Sequence, residues 1–171
     1  MNLWSLSARP RAGLARHTEP PMTQIANDHQ LRAALNALTP EEQRLMGARF
    51  AGNVMHLCRN DRVRRAGLLA LDLDADPVEL DDALKAAKAH VVKTYTDCGK
   101  DTNWLEQADH FVAAAVVAAL TPADQLAAKS NSAWKAAVQA RMAKNCEIVE
   151  DDEGEEETES DRQYKIASQH L

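Results

Sequence analysis

Aromatic residues are scarce in this chain of 171 residues, which has three Trp, two Tyr and two Phe. Glycine and proline are scarce as well, with six of each. β-sandwiches and barrels need β-branched and aromatic residues and frequent turns, so this composition excludes them. Long apolar runs are missing. The longest, residues 111–120, has ten residues, against the roughly 18 needed to span a membrane. The three cysteines stand at wide, irregular spacing and form neither a disulfide framework nor a paired zinc-ligand motif. Gly-rich phosphate loops, Gly-x-Ser-x-Gly and His-Glu-x-x-His do not occur. No cofactor and no metal is therefore expected, and free thiols suit a reducing, cytoplasmic setting.

What the chain has in quantity is alanine, 31 residues. Alanine favours helices and lets them pack closely through small side chains. The expected fold class is all-α: a compact bundle of about six helices around a central Ala/Val-rich helix, followed by a disordered acidic C-terminal tail.

The net charge of −6 is unevenly distributed. Residues 1–22 carry Arg9, Arg11 and Arg16 against Glu19 and read as a disordered or dispensable N-terminal extension. They fit a transit peptide only loosely, and the apolar stretch of residues 3–6 is too short for a secretory signal. Residues 23–146, the expected helical domain, balance 15 bases against 15 acids. Residues 147–161 hold ten acids and no base. Such a segment repels itself and cannot bury apolar area, so an extended linker is expected there. Residues 162–171 regain two cations and apolar side chains.

Helix starts and stops punctuate the domain. The expected helices cover about 27–38, 40–59, 61–71, 77–98, 102–120 and 132–145. The second opens on Thr39-Pro40-Glu41-Glu42, which supplies an N-cap, a proline at the first helical position and acids in the first turn. Asp61 and Ser132 are the expected caps of the third and sixth, and Asp101 or Thr102 is expected to start the fifth. Ala-Leu-Thr-Pro recurs at 37–40 and 119–122, a capping motif common enough to recur by coincidence. In the fourth helix Leu80, Leu84, Ala87, Val91 and Tyr95 form one stripe, which predicts a peripheral element. The fifth is apolar all round from Phe111 onward and is expected at the centre.

Three groups of residues are candidates for function. Arg49, Asn53 and His56 run beside the Met46, Phe50 and Val54 stripe of the second helix, and Gly47 and Gly52 would admit a close approach. The row fits either a polar pocket edge for ligand binding or catalysis, or a boundary row hydrogen-bonded to a neighbouring helix. Arg59, Arg62, Arg64 and Arg65 put four guanidiniums in seven residues, suited to an acidic protein partner or to solvent. Nucleic acid is disfavoured, because the domain lacks a broad basic footprint and carries an acidic tail. Tyr164, Ile166 and Leu171 would serve as anchors if the C-terminal tip became a helix docking on a partner in trans. Removing residues 162–171 should then abolish partner capture and leave stability untouched. Glu106 and His110 lie opposite the core stripe of their helix and read as a solvated pair, since the repeated Glu-x-x-His of di-iron bundles is absent. Cys98, in an Asp-Cys-Gly-Lys turn, reads as a bystander thiol.

The expected function is that of a non-enzymatic adapter or accessory protein, using a helical surface and its tail to bind a protein partner. The alternative is a small helical ligand-binding protein or enzyme built on the Arg49, Asn53 and His56 row. A membrane role is not expected.

Overall fold

The computed structural model describes residues 24–95, 103–151 and 157–171. The N-terminal extension, the Cys98 turn and residues 152–156 of the expected linker lie outside them. Among the described residues the fold is all-α: α1 (Asp28–Asn36), α2 (Pro40–Asn53), α3 (Asp61–Leu69), α4 (Pro77–Tyr95), α5 (Trp104–Leu120), α6 (Ser132–Asp151) and α7 (Glu159–His170). Short 3-10 turns follow α2 and α5. No described helix is long and apolar enough to cross a membrane.

The helix starts follow from side chains that satisfy free backbone N–H groups. Asn27 caps α1, and Thr39 with Glu42 forms a capping box on α2. The Asp76 carboxylate accepts from the Val78 N–H at 2.7 Å at the start of α4. Three caps differ from expectation by a residue or two, and each is an asparagine. Asn60 caps α3, Asn103 caps α5 and Asn131 accepts from the Trp134 N–H at 2.9 Å at the start of α6. Asn131 is the better choice over Ser132 because its amide also donates to the Leu35 carbonyl at 2.9 Å, tying α6 to α1.

α5 is the central helix, packed against α2, α3, α4 and α6. From Ala108 onward its buried residues face every direction, and most are alanine or valine. Their small size sets the helix spacing. A Cβ added at Gly47 of α2 would meet Ala119 Cβ at 3.1 Å and Ala136 Cβ at 3.2 Å. Gly47 thus marks a close approach of α2 to α5 and α6. Gly52 marks no such approach, since a Cβ there would meet nothing within 4 Å. A second core of larger side chains, including Leu31, Leu35, Met46 and Phe50, lies between α1, α2, α6 and α7.

The acidic block is where expectation and structure part. Residues 147–151 continue α6, and residues 159–161 begin α7. α6 continues because Glu147 is matched by Lys144 and His56. α7 starts because Thr158 and Asp161 form a capping box, with Glu159 and Asp161 in the first turn where the helix dipole favours acids. Part of the run expected as a disordered tail is therefore helix-terminal chemistry.

The two glycines give opposite expectations. Gly52→Ala should gain about 0.5–1 kcal/mol in urea denaturation, because it adds helix propensity without a clash. Gly47→Ala should lose stability, by about 1–3 kcal/mol before a propensity gain of up to about 1 kcal/mol, because its neighbours are helix-borne methyl groups that cannot rotate away. Equal effects at the two positions would show that the close approach is not a constraint.

Candidate functional site

The polar row straddles the end of α2, which stops at Asn53 and not near residue 59 as expected: Arg49 and Asn53 lie on the helix, and His56, exposed, lies in the 3-10 turn that follows. Asn53 donates to Glu159 Oε2 of α7 at 2.6 Å. His56 Nε2 lies 3.0 Å from Glu147 Oε1 near the end of α6, and Glu147 also accepts from Lys144. Burial works to raise the Glu147 carboxyl, but Lys144 and His56 outweigh it and hold the group below its ordinary range. Arg49 is half-buried, and desolvation lowers its pKa. Burial first, then the Arg49 charge, lowers that of His170 on α7. The three residues are brought together as a seam that joins α2 to α6 and α7, with Asn53 and His56 paired inside the domain.

The C-terminal tip is helical, with Ala167 buried and Tyr164 and Ile166 half-buried against the second core. Leu171 remains exposed. The tip thus lies on its own bundle. It is held largely by polar contacts centred on Arg141 of α6, which donates to both Asp28 oxygens, at 2.8 and 3.0 Å, and to Gln163 Oε1 at 2.8 Å. Gln163, fully buried, passes the contact on to the Ala137 carbonyl at 3.0 Å. Tyr164 donates to Asp28 at 2.8 Å. The Arg141 guanidinium holds the Asp28 carboxyl below the usual range against a smaller opposing effect of burial.

A cluster that sequence reasoning missed centres on Asp109. Its carboxylate accepts from the Arg59 N–H at 2.7 Å and pairs with His90 Nε2 at 2.7 Å. Asn60 Oδ1 is occupied by the Arg62 and Val63 N–H groups at the start of α3. Its amide nitrogen therefore faces His90 Nδ1, 3.0 Å away, and donates to it. His90 then donates from Nε2 to Asp109. This resembles a base held by an orienting carboxylate, but the free face of the imidazole is occupied by Asn60. The neighbouring Cys58 thiol is pushed up to about 11, chiefly by burial, so it is a poor nucleophile at neutral pH. The cluster fastens the segment between α2 and α3 to α4 and α5.

His110 corrects a further expectation. It is buried with Nδ1 2.9 Å from Thr94 Oγ1, and burial lowers its pKa. Only Glu106 of the expected solvated pair is exposed, with Arg59 at 3.8 Å. α4 packs over the side of α5 that carries His110, a flank the stripe pattern left to solvent. Among the described residues no three His, Cys, Asp or Glu side chains gather to hold a metal ion.

The four arginines divide into two pairs. Arg64 donates from Nε to the Cys58 carbonyl at 3.0 Å and lies 3.8 Å from Asp61. Arg59 is engaged by Glu106 through its side chain and by Asp109 through its backbone. The Arg62 and Arg65 guanidiniums are exposed and have no partner among the described residues. They line a groove of about 330 Å3 between α3 and α4, with Ala66, Leu69, Ala83 and Ala86. None of the described acids of residues 147–161 pairs with any of the four arginines.

No protein-family model, curated protein or solved structure matches the chain.

Two expectations concern α7. Deleting residues 162–171 should lower stability by about 2 kcal/mol or more through lost apolar burial and the exposed Arg141 network, in place of the neutral effect expected from the sequence. Glu159 adds a pH dependence. Burial raises its carboxyl above 4.5, against the opposing pull of Asn53, Gln163, Arg162 and Lys144. Its stabilising contribution is then fully present below pH 4.5 and is lost as pH rises through the raised folded-state value. The stability gap between Glu159→Gln and the parent should therefore move in favour of the parent as pH falls from about 7 to 4.5. Urea denaturation at the two pH values measures it, and a gap independent of pH would refute the assignment.

Proposed function

We propose that the chain is a non-enzymatic protein-interaction domain, adapter or accessory in kind, which takes an acidic segment of a partner protein along the α3–α4 groove. The observation that supports this reading is that Arg62 and Arg65, over a floor of alanines, have no partner among the described residues. Planar guanidiniums grip carboxylates bidentately, and alanines let a partner backbone come close. Leu68, one turn beyond Arg65, is 68% exposed and offers an apolar contact beside the charges. Two cations without a partner among the described residues, with Asp61 on the same helix, are too narrow a basic surface for nucleic acid. The internal pairing of Asn53 and His56 weighs against the alternative of a ligand or catalytic site on that row. In this reading α7 is an intramolecular clasp, because docking Tyr164 and Ile166 elsewhere would first strip them from the bundle. The buried thiol of Cys58 fits a cytoplasmic setting.

The test is a photo-crosslinking side chain at Leu68 in cells. It should yield one discrete adduct whose cross-linked segment is rich in Asp and Glu. Arg62→Glu with Arg65→Glu should reduce that adduct about tenfold, the scale of a lost pair of charge contacts, with the melting temperature unchanged. An adduct indifferent to the charge reversal, or a cross-link to a neutral or basic segment, would refute the reading.

A further inference from the structure

A pocket of about 600 Å3 opens where the starts of α2 and α4 meet the end of α5. It shares no residue with the arginine groove. Leu84, Ala119 and Leu120 are buried residues of its lining, with Pro40, Leu80 and Leu126 beside them. This is the size and apolar character of a small-molecule site, with a few polar groups placed to orient what enters.

The charged groups of the lining that are not engaged elsewhere share one sign. Glu41 and Asp124 line the pocket, and neither carboxylate has a partner among the described residues. Asp81 also lines it and is matched by Lys85 at 2.5 Å. Among the described residues Arg44 is the one cation of the lining, and it is committed elsewhere. Its Nη1 donates to the Ala70 carbonyl at 2.7 Å and the Asp72 carbonyl at 2.8 Å, as a strut beneath the α3–α4 connection. The backbone supports the same sign. The pocket receives the carbonyl end of α5, whose last turn carries no basic residue to offset its partial negative charge. The Thr121 hydroxyl there is turned inward to the Val117 carbonyl at 2.6 Å. The positive ends of α2 and α4 are already answered, by the Thr39–Glu42 capping box and by Asp76.

We propose that this pocket binds a small amphiphile with an apolar body and a cationic head, an ammonium or guanidinium. The body lies against Leu80, Leu84 and Leu120, and the head sits at the rim between Glu41, Asp124 and the carbonyl end of α5.

The test uses two probes of one shape and opposite charge, phenylbutylammonium and phenylbutyrate, titrated into the full chain by calorimetry, with amide NMR shifts to locate them. Phenylbutylammonium should bind saturably, with shifts concentrated at Leu80, Leu120 and Thr121. Phenylbutyrate should bind about tenfold more weakly, the scale of an exposed ion pair plus a helix-terminus charge. Glu41→Gln with Asp124→Asn, both exposed positions, should bring the two probes to within about twofold of each other by removing the charges that discriminate. Ala123→Trp, also at an exposed position of the lining, should block both. No binding of either probe, equal binding to the parent protein, shifts centred elsewhere, or a preference that survives the double substitution would each overturn the proposal.

Discussion

The near-contact of backbones at Gly47, Ala119 and Ala136 is the constraint on which the rest of the bundle depends. Three helices can run this close only if their facing residues are alanine, glycine or at most valine. That choice limits how much apolar surface each residue buries, so the main core relies on the number of helices around α5 more than on large side chains. The largest fully buried side chains, Leu31, Leu35, Met46 and Phe50, lie in the second core. α2 belongs to both, with Ala48 and Ala51 facing the close-packed side and Met46 and Phe50 the other.

Alanine faces present little relief, so they discriminate poorly between one docking position and another. Hydrogen bonds supply the discrimination. Asp109 fixes the segment between α2 and α3 against α4 and α5, Asn131 fixes α6 against α1, and Arg141 fixes α1 and α7 on α6. Each of these groups is wholly or largely buried, and each would be left with an unsatisfied polar atom if its helix slid by a turn, at a cost of about 1–3 kcal/mol. Polar residues in this domain act mainly as registers between smooth surfaces, and the Asn53 and His56 seam belongs to the same class.

The all-α class, the central place of α5 and the Thr39 cap were legible because each depends on neighbouring residues in sequence. So was the use of Tyr164 and Ile166 as anchors of a C-terminal helix, although Leu171, expected with them, stays exposed. The target of those anchors was not legible, because Asp28 and Arg141 lie far from α7 in sequence. The Thr158-x-x-Asp161 capping signature was present in the chain, but the surrounding acids masked it as a charge run. His90 and Asp109 were invisible as a pair, since each stands alone on its own helix and only the packing of α4 on α5 joins them. The arginine cluster was visible as four residues. Its division into Arg59 and Arg64, which are engaged, and Arg62 and Arg65, which have no partner among the described residues, required the positions of Glu106 and the Cys58 carbonyl.

The bond from the Ile25 N–H to Ser168 Oγ closes 143 positions of chain, and the Tyr164 contact to Asp28 closes 136. α1 is therefore made early and waits for most of the domain before its partners exist. Loops of that length close slowly, so α1 and α7 should be the last elements to settle as the domain forms. They share the Asp28, Arg141 and Tyr164 contacts, so the loss of either weakens the hold on the other. The two should loosen together as one cooperative unit while α5 and its alanine-packed neighbours stay closed, and amide hydrogen exchange would show them as a common, less protected class.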